Sequence, residues 1–323
     1  ALPIYLLILM INYMSQILVE LVKLANLIIN INKSIACGNR IQSIFEMQPS
    51  ITDGSGQKVD KVQTDTADRS EEAEYAVEFS HVGLTYAGAG DESLTDIDFK
   101  VKKGETIGII GGTGSGKSSV VNLIPRFYDV TSGFIKVDGK DVKDYPLEEL
   151  RGKIGTVLQK AVLFHGTIRE NLKWGNPDAT EEDLNRAITV AQAKEFVDNK
   201  EGRLDFEIEQ GGKNLSGGQR QRLTIARAVV KKPEILILDD SASALDFATD
   251  AALRKAIREM EGETTVFIVS QRAASIQHAD RIVVLDDGKI VGLGTSEELL
   301  ESCEVYQEIY NSQFKKQEGG KTA

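Results

Sequence analysis

The architecture of this 323-residue chain follows from eight consecutive residues, Gly111-Gly112-Thr113-Gly114-Ser115-Gly116-Lys117-Ser118. They fit the pattern G-x-x-x-x-G-K-[S/T] and stand between an apolar, strand-like run at 106–110 and a helical pattern at 117–124. Small residues in such a loop let backbone N–H groups close around phosphate oxygens, an approach that larger side chains would block. The strand, the loop, the lysine and the helix together predict a phosphate-binding loop in an α/β fold.

Two side chains of this loop have the chemistry to hold Mg²⁺ and ATP. Lys117 brings positive charge to the β- and γ-phosphates, and Ser118 offers a hydroxyl to Mg²⁺ beside a helix N-terminus that favours anions. A carboxylate must complete the metal shell. Asp239 follows the aliphatic run 235–238, at the strand end where such sheets collect their ligands. We therefore predict that Asp239 holds Mg²⁺ through water.

A second glycine-rich element, Leu215-Ser216-Gly217-Gly218-Gln219, precedes another helical pattern. Ser216 can cap that helix, and the two glycines expose N–H groups at its positive end, so the element can hold an anion. By itself this is also the pattern of any capped helix. A chain with two phosphate-reading helix starts suggests that two chains share nucleotides between them.

The rest of the C-terminal part alternates between strand-like and helix-like segments. The sequence predicts strands at 106–110, 154–158, 235–238 and 265–269, helices at 117–124, 181–199, 217–230 and 248–260, and a hairpin at 282–291. We expect an antiparallel β portion near 77–110 and a helical subdomain at about 160–232. Thr180 and Asp183 resemble a capping pair before the helix at 181.

Composition excludes several classes of function. Lys plus Arg number 38 and Asp plus Glu 49, so the formal net charge of −11 argues against a nucleic-acid partner. Two cysteines cannot make a disulfide framework or a four-cysteine zinc site, and three histidines leave little room for a histidine-based metal centre.

The N-terminal segment differs from this average. Its first 32 residues carry only two charges, Glu20 and Lys23. An apolar stripe continues along one predicted helix face, formed by Ile17, Leu21, Leu24, Ile28, Ile31 and Ile35. We interpret residues 1–47 as the end of a transmembrane helix, contacting membrane lipid, and its cytoplasmic stalk, with the chain starting inside that helix. The alternative is an amphipathic helix lying on its own globular domain. Residues 48–74 are acidic and turn-rich and predict a flexible linker.

The order of the motifs resembles the ATP-binding domain of an ABC transporter over about residues 75–315, leaving 316–323 as a tail. The motifs are the phosphate-binding loop, Gln159 after a strand, the LSGGQ element at 215–219, Asp239 after its strand, and Ser-Ala-Leu-Asp at 243–246. The segment 1–47 is similar to the last transmembrane helix of an ABC exporter. The resemblance implies a RecA-like P-loop ATPase core in a multi-pass protein of the cell membrane, with its ATP-binding domain on the cytoplasmic side.

The same resemblance implies roles for individual residues. Tyr86 matches the aromatic residue that stacks on adenine, and the alternative is a core or hairpin tyrosine. Gln159 matches a residue that reaches Mg²⁺ and couples the site to the membrane domain. The resemblance adds Ser119 to the nucleotide-binding loop. It also implies that the signature residues contact the ATP held by the opposite chain; these are Ser216, Gly217, Gly218 and Gln219. Asp246 matches a loop that communicates between the two sites. Residues 206–212 loosely match a contact with the membrane domain, and a plain acidic turn fits them equally well.

Two positions depart from the family pattern. Asp240 stands where the family has the glutamate that acts as general base, and Gln271 stands where it has a histidine. Aspartate is one methylene shorter, and glutamine carries no titratable proton. Together the two changes resemble the degenerate half of a heterodimeric exporter, whose partner half-transporter has the glutamate and histidine. The alternatives are a homodimer with two slow sites and an ABC-type ATPase acting on DNA or ribosomes. The transported compound is not indicated by any motif.

Overall fold

The structure is a computed structural model that describes residues 2–47, 49–54, 74–241, 243–260 and 262–318. It divides into two units, residues 1–52 and 53–323. Most of the predicted linker 48–74 lies outside the described residues. The last five residues of the predicted tail 316–323 also lie outside them.

The first unit contains one helix among its described residues, α1 (Leu2–Glu46). Its segment Pro3–Glu46 contains a window with a mean hydropathy of 1.7, and none of that window is buried. By length and composition this helix could cross a membrane, and it is the one such helix among the residues that the structure describes.

The second unit is built on a six-stranded sheet in the order β12-β11-β3-β10-β9-β6. Five strands are parallel, and the edge strand β12 pairs with β11 in an antiparallel hairpin. The strands are β3 (Thr106–Gly111), β6 (Ile154–Val157), β9 (Ile235–Asp239), β10 (Thr265–Val269), β11 (Arg281–Asp286) and β12 (Lys289–Gly294). All five residues of β9 and of β10 are buried, as expected for strands covered on both faces.

A separate four-stranded antiparallel sheet has the order β2-β1-β4-β5. Its strands are β1 (Tyr75–Leu84), β2 (Leu94–Lys102), β4 (Ser132–Val137) and β5 (Lys140–Asp141). The expected antiparallel portion near 77–110 is therefore only partly right, because the strand from residue 106 joins the parallel sheet. The second half of this antiparallel sheet comes from residues 132–141. There β4 pairs with β1, more than 45 residues earlier in the chain, and β5 pairs with β4.

Helices cover the sheets and fill the region between 160 and 232. They are α2 (Lys117–Leu123), α3 (Leu147–Lys153), α4 (Ile168–Lys173), α5 (Glu181–Val190), α6 (Lys194–Asp198), α7 (Gly217–Val229), α8 (Phe247–Arg258), α9 (Ala273–Ile276), α10 (Ser296–Ser302) and α11 (Glu304–Glu318). Short strands β7 (Gly166–Thr167) and β8 (Glu207–Ile208) pair within this region.

Two boundaries differ from the sequence prediction. The single helix expected at 181–199 is two helices, because the backbone reverses at Gln192, whose φ is +54°. Thr180 and Asp183 form the expected capping box at the start of α5. At the other end, α11 continues to Glu318, three residues into the segment predicted as a tail.

Candidate nucleotide-binding site

The phosphate-binding loop connects β3 to α2, and its glycines are required by shape. Gly116 has a φ of +92°, and a Cβ there would lie 2.6 Å from Cδ2 of Leu94. A Cβ on Gly111 would overlap the carbonyl oxygen of Leu285. No other residue type fits these two positions without displacing backbone or core side chains.

Lys117 is held at the centre of the loop. Its Nζ donates hydrogen bonds to the carbonyl oxygens of Gly111 at 3.0 Å and Gly112 at 2.5 Å. Lys117 is 8% exposed, and this burial lowers the pKa of its ammonium group, although the nearby carboxylates oppose the shift. A polyanion beside this side chain would restore the favourable environment that burial removes.

An oxygen pair suited to Mg²⁺ lies beside the lysine. The Ser118 hydroxyl donates to Oδ1 of Asp239 at 3.0 Å, and Asp239 is 5% exposed at the end of β9. Burial raises the pKa of the Asp239 carboxyl, and the neighbouring Asp240 charge acts in the same direction. A hydroxyl and a buried carboxylate are ligands that Mg²⁺ accepts, and a cation would relieve the like charges. The residues present therefore fit the metal.

Asp240 and Gln159 meet at the same edge of the sheet. Gln159 Nε2 donates to Oδ2 of Asp240 at 3.2 Å. Asp240 has a φ of +44°, in the left-handed region, which turns its side chain away from the direction that β9 would give it. Burial raises the pKa of the Asp240 carboxyl, while Gln159, Arg272 and Lys117 lower it.

Tyr86 lies beyond the end of β1 and is fixed by two neighbours. Its hydroxyl donates to the Ser119 hydroxyl at 2.8 Å. The edge of the Tyr128 ring meets it at a centroid distance of 4.9 Å and an interplanar angle of 87°. The two contacts hold the Tyr86 ring in one orientation and tie it to the first turn of α2.

Most of these groups line one cleft of about 620 Å³, a size typical of small-molecule sites. The predicted residues on its wall are Tyr86, Thr113, Gly114, Gly116, Lys117, Ser118, Ser119, Gln159, Asp239, Asp240 and Gln271. Gly111, Gly112 and Ser115 belong to the loop but do not form its wall.

The structure adds wall residues that sequence reasoning missed. The loop after Tyr86 contributes Ala89, Gly90, Asp91, Glu92 and Ser93, and the turn between β11 and β12 contributes Asp287 and Gly288. The glycine-rich run 88–90 and the Asp-Gly turn were the available signals, but neither matches a phosphate-binding pattern.

The signature element lies elsewhere. Ser216 caps α7 in a capping box with Gln219, whose backbone N–H donates to the Ser216 hydroxyl at 3.2 Å. Gly217 is exposed, and a Cβ on it would meet nothing within 4 Å. Among the described residues on the cleft wall there is none from 216–219, and Asp246 is not there either. Asp246 instead caps α8 through Thr249, and these hydrogen bonds lower the pKa of its carboxyl.

Comparison with known proteins identifies the class of domain. Residues 94–243 match the family described as ABC transporter. The chain is 40% identical over 304 residues to YfiB, an ABC transporter ATP-binding protein of Bacillus subtilis, covering 94% of this chain and 51% of YfiB. It is 42% identical over 237 residues to YgaD of the same organism, a putative multidrug export ATP-binding/permease protein, covering 73% of this chain and 41% of YgaD.

A solved structure agrees. A bacterial Atm1-family ABC exporter with ATP bound superposes with a TM-score of 0.78 and 29% identity, over 88% of this chain and 48% of that one. The chain therefore contains an ABC transporter ATP-binding domain, of the P-loop ATPase class, preceded by a long helix. It spans about half the length of the curated relatives it matches.

Proposed function

We propose that this chain is the ATP-binding and ATP-hydrolysing half of an ABC exporter in the cell membrane, and that its own site hydrolyses ATP slowly. The observation that carries the proposal is the division of the phosphate-reading elements. The cleft at the strand ends holds the loop, Lys117, Ser118 and Asp239, while the second anion-reading element at 216–219 lies outside it. The relatives named as exporters and the apolar helix α1 support the link to export.

The division of elements favours a two-chain site. The start of α7 is exposed, with Ser216 as its cap followed by two glycines. Its free N–H groups do not face the cleft of their own chain, so they cannot bind the nucleotide held there. An isolated helix start of this kind is a ready anion site. In a head-to-tail pair, the signature of each chain would cover the ATP held by the other. Closure of such a pair over two ATP molecules would drive the export step, and hydrolysis would reset it.

Within this chain's cleft, binding and cleavage place different demands on the residues. Lys117 neutralises phosphate charge, the glycine-rich loop surrounds the phosphates, and Tyr86 stacks against the base. Ser118 and Asp239 would hold Mg²⁺, which would supply further charge neutralisation. These residues suffice for binding.

Cleavage also needs a base within about 2.6–3.2 Å of the attacking water. Asp240 has the shorter side chain, and the structure commits one of its carboxylate oxygens to Gln159. Gln271, which follows the neighbouring strand β10, can donate a hydrogen bond to a phosphate but cannot take up a proton. General-base assistance contributes about 10²–10⁴ in rate, so a misaligned base accounts for the slow hydrolysis that we propose for this cleft.

The test uses this chain co-purified with the partner half-transporter that the proposal requires. Ser216→Ala removes the cap of the signature that would serve the partner's fast site, and we expect ATP turnover of the pair to fall at least about tenfold. Asp240→Asn changes only the slow site, and we expect turnover to stay within about twofold. Ser312→Ala, an exposed position on α11, is the matched control.

The alternatives give different results. Equal sensitivity to Ser216→Ala and Asp240→Asn would refute the asymmetric pair. Full activity of this chain alone in membranes would instead favour the homodimer with two slow sites. Activity that needs DNA or ribosomes and no membrane would indicate an ABC-type ATPase unrelated to transport.

A further inference from the structure

The last helix, α11, is anchored to the ATPase core along one face. Tyr306 is fully buried, and its hydroxyl lies 2.8 Å from the Ser296 hydroxyl. One turn on, Tyr310 follows it at a ring distance of 6.2 Å, and Phe314 stacks on Tyr310 at 4.2 Å. Residues spaced by four share one helix face, so this aromatic row fixes both the axis and the rotation of α11.

Gln313 sits next to the end of this aromatic row and touches a distant loop. Its Nε2 donates to the backbone carbonyl oxygen of Gln271 at 2.7 Å, and its Oε1 accepts from the backbone N–H of Ala273 at 2.9 Å. One side-chain amide thus bridges two backbone groups about 40 residues away in sequence. Because an amide presents a donor and an acceptor side by side, it can fill both roles at once.

The loop that Gln313 contacts carries a wall residue of the cleft. Ser270 and Gln271 line the cleft directly after β10. Inside the loop, the Arg272 N–H donates to the Ser270 hydroxyl at 2.9 Å. Ala273 starts the four-residue helix α9, whose N-cap residue makes no side-chain cap, so Gln313 supplies the missing acceptor. The Gln271 backbone is therefore pinned from outside the site.

We propose that Gln313 is a positioning residue for Gln271, which couples the last helix to recognition of the terminal phosphate. The proposal rests on the proposed ATP site, and nothing in Gln313 itself touches that cleft. Gln271 can hydrogen-bond to the γ-phosphate of ATP, and ADP lacks that phosphate. Without the two hydrogen bonds from Gln313, the loop that carries Gln271 is no longer held in place. We therefore expect ATP binding to weaken and ADP binding to stay unchanged.

The experiment measures Mg·ATP and Mg·ADP affinity of the protein purified in detergent, by competition with a fluorescent nucleotide. For Gln313→Ala we expect ATP to bind about three- to tenfold more weakly, since two hydrogen bonds that order the loop are lost and 1.4 kcal/mol is tenfold. ADP affinity should stay within about twofold. Gln271→Ala should give the same pattern, and the double variant should be no weaker than either single variant.

Two further variants separate positioning from folding. Gln313→Glu keeps the acceptor for Ala273 but places a carboxylate against the Gln271 carbonyl, so its ATP affinity should fall at least as far as in Gln313→Ala. Ser312→Ala, one residue away on the exposed side of α11, should change neither affinity.

The outcomes distinguish this inference from the proposed function. Equal loss of ATP and ADP affinity with a lowered melting temperature would assign Gln313 a structural role and overturn the inference. Unchanged ATP affinity in Gln313→Ala would overturn it as well. Failure of the unmodified protein to bind either nucleotide would instead refute the ATP site on which both stand.

Discussion

Asp239→Asn changes the charge of the metal-binding carboxylate and almost nothing of its shape. In the nucleotide-free protein the pKa of Asp239 is raised, mainly by burial, so the folded state holds its proton more tightly than the unfolded chain does. Ionised Asp239 therefore costs stability at neutral pH, and this cost appears as the pH rises through the folded pKa. We expect nucleotide-free Asp239→Asn to melt above the unmodified protein at pH 7. The difference should narrow as the pH falls below that pKa.

The same change removes a ligand that the metal needs. A ligand at 100 times its Kd stabilises the protein that binds it by about 2.7 kcal/mol. For a domain of this size, 1 kcal/mol corresponds to about 2–4 °C in melting temperature, so Mg·ATP should raise it by about 5–11 °C. In Asp239→Asn we expect this shift to shrink to that seen with ATP and EDTA.

The assay is a thermal melt of each variant without ligand, with ATP and EDTA, and with Mg·ATP. Asp198→Asn, an exposed carboxylate on α6 paired with Lys194, is the charge-matched control and should retain the full Mg-dependent shift. A full Mg-dependent shift in Asp239→Asn would refute the assignment of Asp239 to the metal. A lower melting temperature of nucleotide-free Asp239→Asn would refute the account of its burial.

Two further perturbations test the base and phosphate ends of the cleft. Tyr86→Ala should weaken ATP binding at least about fivefold, because base stacking on an aromatic ring contributes about 1–3 kcal/mol. Tyr86→Phe loses only the hydrogen bond to Ser119, so its ATP affinity should stay within about threefold of that of the unmodified protein. Titration with labelled ATP measures both affinities. Gly111→Ala should lower the melting temperature by more than 5 °C even without ligand, because its Cβ overlaps the Leu285 carbonyl, and an unchanged melt would contradict that geometry.

The parallel strands were predictable because each is a short, unbroken aliphatic run. The strand expected at 265–269 has those bounds in the structure, and that at 235–238 extends by one residue to Asp239. A strand that is buried on both faces is an unbroken run of apolar residues, which is easier to recognise in a sequence than the alternation of a strand buried on one face. The antiparallel sheet left a weaker mark, since β4 pairs with β1 across a long stretch of chain. The Asp138-Gly139 turn before β5 was one local signal of this second half of the sheet, with φ values of +50° and +77°.

The break between α5 and α6 shows where local patterns stop. The sequence Ala191-Gln192-Ala193 contains no glycine or proline, so nothing in it indicates a helix end. Tertiary packing imposes the turn: Ala191 and Ala193 are fully buried, and Gln192 takes the left-handed conformation between them.

The site divides in the same way. Lys117, Ser118 and Asp239 were predictable, because phosphate and metal chemistry restrict residue type and spacing tightly. The bridge from Gln313 to the loop of Gln271 was not, because it depends on how α11 rotates against the core. A glutamine near the C-terminus of a helix has no sequence pattern that would indicate such a contact.

The most direct test of the central claim follows the terminal phosphate in this chain's own cleft. The co-purified pair is incubated for a few turnovers with azido-ATP that carries a radioactive label on either the α- or the γ-phosphate. The bound nucleotide is then photocrosslinked, and the two chains are separated. We expect this chain to retain both labels and the partner to retain only the α-label. Loss of the γ-label from this chain as fast as from its partner would contradict a site that binds ATP but cleaves it slowly.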